Sequence, residues 1–334
     1  MAPSVGSSPE IPLLSIAYAQ ARRACATGAP VYVTANPVEY HGPHLSLHND
    51  RLVSEAVIRR LHGRLAPDAP FVYVDDLEAG VAPASGPSSR RVPFRSLRAL
   101  VLKTARSLAE LGARRVVWMT FHGDPMHNHA IQDGVRWLAA NGIPSIAPFN
   151  IAVRQLVDYD TRRYAAAVAG LKPDDRERVL RALPWDFHAG FFETSVALHL
   201  APASVSDVYK RLPPCPEVAP DPGVLRVARV AERMGRRGLA AELRFIAAAA
   251  AHARIRPFPC YTGAPHLASA EAGRVFIESN LDEIAPITRR VLYENAKAPE
   301  PIMPWLRRLT LGGRLEAPAV PLGSMELFEG LGEE

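Results

Sequence analysis

The first half of the chain alternates short apolar runs with longer stretches in which apolar residues recur at helical spacing, and this alternation constrains the fold most. The apolar runs predict buried strands, because they are short, rich in β-branched residues and bounded by turn signals. The predicted strands are 30–35, 71–74, 115–121 and 143–149, and the predicted helices between them are 50–65, 94–111 and 128–140. Strands joined through helices favour a mainly parallel central sheet with helices on both faces. We therefore predict an α/β protein with a three-layer α/β/α architecture.

The rest of the chain carries no convincing domain boundary and no internal repeat. Further helices are predicted at 13–26, 165–183 and 268–296, and one or two helices at 223–254, with a proline-rich irregular segment at 202–222. The first ten residues read as a flexible tail, and the last 35 show no clear periodicity. We therefore expect a single domain over 1–334, with a flexible tail at about 1–10 and a less regular segment at about 300–334.

Composition argues against several classes of protein. Of the 334 residues, 48% are hydrophobic and 22% are charged, which is typical of a globular domain, and no apolar run approaches the ~20 residues of a membrane span. The net charge is +5, but the basic pairs are scattered among acidic and apolar residues, so no nucleic-acid surface is predicted. Three distant cysteines form no disulfide framework, and no cationic segment precedes the first apolar stretch. We therefore expect a cytoplasmic protein without membrane or nucleic-acid partners.

Metal-ligand side chains concentrate at the ends of two predicted strands. Glu39 and His41 stand two apart after the first strand, so both can face one point, and Asp50 opens the following helix. His122 and Asp124 stand two apart after the strand at 115–121. Neighbouring parallel strand ends would gather two imidazoles and three carboxylates, a set suited to Zn²⁺, Mn²⁺ or Fe²⁺. The alternative is a group of hydrogen-bonded loop residues, an interpretation that fits His44, His48, His127 and His129.

Four motifs, in order along the chain, resemble those of the creatininase (creatinine amidohydrolase) family. Residues 39–50 read EYHGPHLSLHND and are similar to the family's E-x-H-G-P-H-L-P-L-x-T-D signature. Residues 122–124 (HGD) stand where the family has its N-G-H-containing strand end, and residues 188–195 (HAGFFETS) resemble its H-A-G-x-x-E-T-S segment. Residues 263–273 resemble its late G-x-P…A-x-x-E-x-G stretch. The resemblance implies a creatininase-like fold and a metal-dependent enzyme.

The resemblance also implies two divalent ions per subunit, with Zn²⁺ expected first and Mn²⁺ or Fe²⁺ as alternatives. Asp50 would bridge the two ions. One ion would be held by Glu39, Asp50 and His122. The other would be held by His41, Asp50 and Asp124, where Asp124 is one methylene shorter than the glutamate of creatininase itself.

The reaction implied by the resemblance is hydrolysis of a carbon–nitrogen bond other than a peptide bond. Metal-activated hydroxide attacks an amide carbonyl in such sites. His188 would exchange a proton with the substrate as a catalytic residue. Glu193 would either orient His188 or join the metal shell. The expected substrate is a small amide, cyclic or formyl.

Residues expected to contact the substrate show where this chain departs from the family. Ser88, Trp185 and Asp186 match substrate-contacting positions of the family. Two arginines at 90–91 replace the family's usual Glu-His pair, and Gly123 replaces an aromatic residue. These departures argue against creatinine itself as the substrate.

Two other functions remain open from the sequence. The same site could serve a biosynthetic family member, either a deformylase or a peptide-trimming hydrolase, for which the arginines at 90–91 would suit an anionic group. The chain could also be a non-catalytic homologue that binds a metal or a ligand. The resemblance further implies a homo-oligomer, namely a hexamer.

Overall fold

Five parallel strands form the centre of the protein. In the computed structural model, which describes residues 9–158, 160–316 and 318–328, the strand order across the sheet is β1-β3-β2-β4-β5. The strands are β1 Glu10–Pro12, β2 Val31–Thr34, β3 Phe71–Val74, β4 Val116–Met119 and β5 Ser145–Ile146. In the register of the central pairs, Val31 lies opposite both Val72 and Val116.

Helices connect these strands and make up most of the second half of the chain. The α-helices are α1 Tyr18–Ala26, α2 Asn49–Leu65, α3 Phe94–Leu111, α4 Pro125–Ala140, α5 Phe149–Val157, α6 Pro173–Ala182, α7 Phe191–Leu200, α8 Pro222–Arg233, α9 Arg237–His252, α10 Ala270–Tyr293 and α11 Leu306–Leu309. Short 3₁₀ helices lie at Thr161–Val168, Leu183–Trp185, Pro202–Ser204, Asp207–Arg211, Pro265–Leu267 and Leu322–Ser324. Among the described residues, no helix combines the length and the apolar character needed to cross a bilayer.

The sheet buries side chains on both faces, as the continuous apolar runs predict for parallel strands. Successive side chains of a strand point to opposite faces. Accordingly, Val31 and Val33 pack with α1, α3 and α4, whereas Tyr32 packs with α2, α7 and α10. The prediction of a mainly parallel sheet between two layers of helices is therefore confirmed.

The N-terminal region differs from the sequence-based prediction in two respects. Strand β1 was not predicted, because three residues ending in proline give too short a pattern, and it is defined by its pairing with β3. The helix predicted at 13–26 begins only at Tyr18, since the Leu13 amide still donates to the Tyr73 carbonyl along the strand edge. Most of the predicted flexible tail, residues 1–8, lies outside the described residues.

Two long helical stretches of the sequence are interrupted in the structure. The stretch 165–183 contains the end of a 3₁₀ helix and then α6, because Pro173 occupies a first-turn position and starts a new helix. The stretch 223–254, predicted to form one or two helices, forms two, α8 and α9, which are separated at Gly235, whose φ of 75° belongs to the left-handed region. The segment after about 300 contains only α11 and one short 3₁₀ helix among its described residues.

The topology opens a crevice where the candidate ligands lie. The neighbouring strands β2 and β4 lead into α2 and α4, and these two helices pack on opposite faces of the sheet. Loops that leave neighbouring strands in opposite directions create the crevice in which open α/β sheets bind ligands. The loops after β2 and β4 are also the ones that carry the candidate metal ligands.

Candidate metal centre

Four of the five predicted metal ligands converge at the carboxyl ends of β2 and β4. Glu39 and His41 lie in the loop after β2, Asp50 lies in the first turn of α2, and His122 lies in the loop after β4. All four side chains are buried, none being more than 6% exposed. A buried group of this kind requires partners for its charges.

Two groups of candidate ligands share Asp50. In the first, Nδ1 of His122 lies 2.9 Å from Oε2 of Glu39 and 3.6 Å from Oδ2 of Asp50. In the second, Nε2 of His41 lies 3.2 Å from Oδ1 of Asp50 and 3.8 Å from Oε2 of Glu193. Within each group, one ligand atom of every member lies within 4.8 Å of the others. The two Asp50 oxygens therefore face different groups, as a bridging carboxylate requires.

Backbone carbonyls orient both imidazoles toward the carboxylates. His41 donates from Nδ1 to the Glu39 carbonyl at 3.0 Å, which leaves Nε2 facing Asp50. His122 donates from Nε2 to the Val81 carbonyl at 2.9 Å, which leaves Nδ1 facing Glu39. Hydrogen bonds to the outer ring nitrogen are the usual device that sets the tautomer of a metal-binding histidine.

The electrostatics of the cluster favour positive charge at its centre. Burial opposes protonation of His41 and His122, but the neighbouring carboxylates, Asp50 and Glu39 foremost, raise the pKa of each imidazole to about 10. Burial disfavours the charged form of the Asp50 carboxyl and therefore raises its pKa. Burial opposes ionisation of Glu39 too, yet the His122 imidazole holds its pKa well below the usual range.

The donor set fits divalent cations. Oε2 of Glu39 and both carboxylate oxygens of Asp50 are buried, and the nearest partners among the described residues are the His41 and His122 ring nitrogens that face them. Leaving such oxygens without a partner costs free energy that a bound cation would recover. Mixed imidazole and carboxylate ligands suit Zn²⁺ and Mn²⁺.

Asp124 does not join either group. Its Oδ1 accepts a hydrogen bond from the His127 amide at 2.8 Å, so this carboxylate is the N-cap of α4. Glu193 on α7 lies in the second group instead, in the position that the family resemblance implied for Asp124. Its Oε2 also accepts a hydrogen bond from the Ala189 amide at 2.5 Å. Burial raises the pKa of Glu193 to about 8 and that of Asp124 to about 6.

His188 lies at the edge of the cluster, as expected for a residue that meets the substrate. Its Nε2 donates to the Tyr40 carbonyl at 3.0 Å, and its Nδ1 lies 3.9 Å from Oε1 of Glu39. Burial and the neighbouring charge of His41 lower the pKa of His188 to about 4. The imidazole is therefore neutral near pH 7, with Nδ1 able to accept a proton.

The three expected substrate contacts are not brought to this site. Ser88 is exposed in the loop after β3. Asp186 is buried, and both of its carboxylate oxygens accept hydrogen bonds. Oδ2 accepts from the Phe192 amide at 2.9 Å and Oδ1 accepts from the Thr262 hydroxyl at 3.2 Å. Burial raises its pKa to about 7. Trp185 lines a separate cavity of about 460 Å³.

Asn36 is a supporting residue that sequence reasoning missed. It is fully buried directly after β2, and its Oδ1 accepts hydrogen bonds from the Ser54 hydroxyl, the Thr120 hydroxyl and the Phe121 amide at 3.0, 3.2 and 3.0 Å. Its Nδ2 donates to Oδ1 of Asp76 at 2.7 Å. One side chain thus ties β2, α2 and the end of β4 together. Its position at a strand end was the available signal.

The candidate ligands form one wall of a cavity of about 310 Å³. His188 and Glu193 line it together with Glu39, His41 and Asp50. The remaining wall is mainly apolar and comes from the loop after β4 and from α5, α7 and α9. The arrangement can hold cations beside a chamber large enough for a small molecule.

The model of one protein family matches most of the chain. The creatininase family, described as creatinine amidohydrolase, matches residues 15–287. The chain belongs to the creatininase family. Members of this family are metal-dependent amidohydrolases that act on carbon–nitrogen bonds. The family predicted from the four sequence motifs is therefore confirmed.

Two curated relatives illustrate the range of the creatininase family. The mycofactocin precursor peptide peptidase of Mycobacterium ulcerans (strain Agy99) is 29% identical over 186 residues, which cover 54% of this chain and 61% of the relative. The creatinine amidohydrolase of Pseudomonas putida is 28% identical over 232 residues, which cover 63% of this chain and 84% of the relative. The match to the peptidase thus spans less than two thirds of that protein's length.

Solved creatininase structures share the fold. A manganese creatininase aligns with a TM-score of 0.57 at 20% identity and covers 86% of this chain and 100% of that chain. A Zn–Zn form of a mutant creatininase aligns with a TM-score of 0.57 at 19% identity, with the same coverage. At this level of identity, the similarity establishes the parallel sheet with helices on both sides.

Proposed function

We propose that this creatininase-family protein is a dinuclear metal-dependent amidohydrolase that cleaves the carbon–nitrogen bond of a small cyclic or formyl amide other than creatinine. The observation that carries the proposal is the pair of ligand groups sharing Asp50, whose two buried oxygens each face the histidine of a different group. A site for a single ion would not need both oxygens of one carboxylate facing different ligand sets.

The proposed ligands of the first ion are Glu39, Asp50 and His122. Those of the second are His41, Asp50 and Glu193, so that Glu193 is a ligand and Asp124 is not. This assignment rests on the distances within each group. We expect Zn²⁺ first and Mn²⁺ or Fe²⁺ as alternatives, and solved relatives are described as manganese and Zn–Zn forms. Divalent cations in such a site supply Lewis acidity and lower the pKa of water.

His188 is proposed to move the proton of the reaction. The Nε2–H group of His188 donates to the Tyr40 carbonyl. Nδ1 is therefore the atom that can accept a proton from water and return it to the departing nitrogen. Its neutral state near pH 7, caused by burial, suits an initial proton acceptor. The ring lies 4.5 Å from the His41 ring and lines the chamber, which places it beside the proposed ions.

Metal content of matched variants tests the ligand assignment. Purified protein loaded with excess Zn²⁺ and then dialysed should retain two ions per chain by elemental analysis. Asp50→Asn should retain less than one ion, because both groups lose their shared charge. Glu193→Gln should retain one, whereas Asp124→Asn should retain two, since asparagine still caps α4. Loss of an ion from Asp124→Asn but not from Glu193→Gln would contradict the assignment.

A peptide-trimming activity is the second candidate, favoured by the 29% identity to a mycofactocin precursor peptide peptidase. Zn²⁺- and Mn²⁺-loaded protein should be assayed on matched formyl amides, lactams and short peptides. Turnover of formyl or cyclic amides that is lost in Asp50→Asn would support the amidohydrolase proposal. Turnover of peptides alone would support the second candidate. No turnover at full metal occupancy would contradict both and favour a binding role.

Cellular location and assembly remain predictions, the location from the sequence composition and the assembly from the family resemblance. We propose a cytoplasmic homo-oligomer, with a hexamer as the expected state. Light scattering coupled to size-exclusion chromatography of the purified protein gives the mass directly. A monomer at micromolar concentration would contradict this part of the proposal.

A further inference from the structure

Aromatic rings line the chamber together with the proposed metal ligands. They come from five separate regions of the chain, so the wall is assembled only by the tertiary fold. The six phenylalanines that line it are Phe121, Phe149, Phe187, Phe192, Phe245 and Phe258. Phe121 and Phe192 stack with ring centroids 6.0 Å apart, and Phe187 and Phe245 lie 5.6 Å apart. The rings therefore form paired surfaces rather than isolated contacts.

The carboxylates that line the chamber are the proposed ligands Glu39, Asp50 and Glu193, together with Asp124 beside His122. No lysine or arginine is among the described residues that line it. Arg90, which the sequence made a candidate for binding an anionic group, is 70% exposed and pairs with Glu78 at 2.7 Å. His252, which contacts Phe187, also lines the chamber, and burial lowers its pKa and so disfavours its charged form. A charged substituent beside the aromatic rings would lose its hydration without gaining a partner.

Gly123 keeps the chamber open beside the His122 imidazole. A Cβ atom built on Gly123 would meet no heavy atom within 4 Å, and the backbone there does not adopt the left-handed conformation. Glycine is therefore not required by strain or by close packing at this position. Because Gly123 lines the chamber and has no side chain, it leaves open space beside the proposed ligand His122.

We propose, resting on the proposed amidohydrolase function, that the substrate is an amide carrying an uncharged aromatic or similarly apolar group, which packs against the six phenylalanines while the amide reaches the cluster around Asp50. Apolar surface buried against these rings stabilises the complex in proportion to its area. A substrate bearing a phosphate, carboxylate or guanidinium at that end is disfavoured. This assigns the side group of the substrate, which the ligand cluster alone leaves open.

Hydroxamates that differ only in their side group test the proposal without requiring turnover. Calorimetry on Zn²⁺-loaded protein should give a dissociation constant for benzohydroxamate at least about tenfold lower than for acetohydroxamate. A para-carboxylate on the benzohydroxamate ring should weaken binding at least about tenfold. Equal affinities for the phenyl and methyl probes, or tighter binding of the carboxylated probe, would overturn the inference.

A pair of glycine variants shows whether the preference arises in the chamber. Gly123→Phe should reduce the preference for benzohydroxamate to below about threefold, because the new ring fills the open space. Gly170→Phe is the matched control, since a Cβ there also meets nothing within 4 Å and the residue is exposed away from the chamber. An unchanged preference in Gly123→Phe would contradict the proposed position of the side group.

Binding to metal-free protein separates this inference from the proposed metal chemistry. In the presence of a chelator, saturation-transfer NMR should detect benzamide at concentrations at which acetamide gives no signal. That result with no metal retained by the wild type would remove the metal proposal and leave the aromatic chamber supported. Retention of two ions with no preference for benzamide would remove the chamber proposal and leave the metal centre supported.

Discussion

Replacing Asn36 by aspartate tests whether one buried amide holds the ends of β2 and β4 in register beneath the candidate metal centre. Aspartate keeps an oxygen for the donors from Ser54, Thr120 and Phe121 but loses the Nδ2 donor. It also brings a second carboxyl group to the 2.7 Å contact with Asp76. Two ionised carboxylates cannot stay at that distance, so one of them must hold a proton in the folded state.

The expected cost is several kcal/mol near pH 7. The proton held between the two carboxyls replaces the lost Nδ2 donor, so the cost arises from holding that proton. Holding one extra proton adds about 1.36 kcal/mol for each unit by which the pKa of the pair rises above its unfolded value. Burial already raises the pKa of Asp76 in the wild type, which adds to this tendency. For a rise of about two to four units, we therefore expect Asn36→Asp to lower the free energy of unfolding by about 3–5 kcal/mol.

The pH dependence has a definite sign. Near pH 7 the folded variant binds a proton that the unfolded chain releases, so its stability rises as pH falls toward the unfolded carboxyl pKa of about 4. The deficit relative to wild type should therefore shrink on acidification, by at most about 1.4 kcal/mol per pH unit. That part of the stability is lost as pH rises through the elevated pKa of the folded pair.

Urea unfolding of both proteins with a chelator present, from about pH 8 to about pH 5, measures this deficit without the contribution of bound metal. Asn141→Asp is the matched control, because Asn141 is exposed and its amide donates to the Trp137 carbonyl rather than to a carboxylate. The control should lose less than about 1 kcal/mol. A deficit for Asn36→Asp that stays constant or grows on acidification would refute the reasoning.

Three further substitutions probe the packing around the site. Gly190→Ala places a Cβ 1.6 Å from Oδ1 of Asp186, so the start of α7 must shift. This variant should lower the free energy of unfolding by at least about 2 kcal/mol and reduce the Zn²⁺ content. The control Gly170→Ala should change neither the free energy of unfolding nor the Zn²⁺ content. Glu242→Ala leaves three donors from α5 and the segment leading into α11 without their buried acceptor, and should cost about 2–4 kcal/mol in urea unfolding and shift the tryptophan fluorescence. Phe276→Ala, which empties a fully buried position between α10 and α7, should cost about 3–5 kcal/mol in the same assay.

The site was predictable from sequence where ligands are close together along the chain. Glu39, His41 and Asp50 lie in one loop and the helix that follows it, and His122 follows a strand whose apolar run marks it clearly. Side chains of an extended segment point alternately to opposite sides, so the spacing of two residues in the sequence indicates whether they face one point. These four side chains meet in the structure, where Glu193 and His188 join them.

Prediction was weakest where the deciding contact joins distant segments. Asp124 has the right chemistry and spacing for a ligand, but the amide of His127 takes its carboxylate as a helix cap. Glu193 reaches the cluster because α7 packs beneath the loop after β2, a contact between residues about 150 positions apart. Local pattern carries no information on which of two suitable carboxylates such packing selects.

The sequence by itself determined the strand and helix alternation, hence the parallel sheet, the loops that carry chemistry and the family. Those properties follow from the period of apolar residues and from motifs read along a few residues at a time. Only the tertiary structure decided that Ser88, Trp185 and Asp186 lie away from the chamber and that six phenylalanines from separate regions form its wall. Side chains far apart in sequence share a cavity because helices pack on the sheet at particular positions, and that packing depends on the whole set of buried surfaces at once.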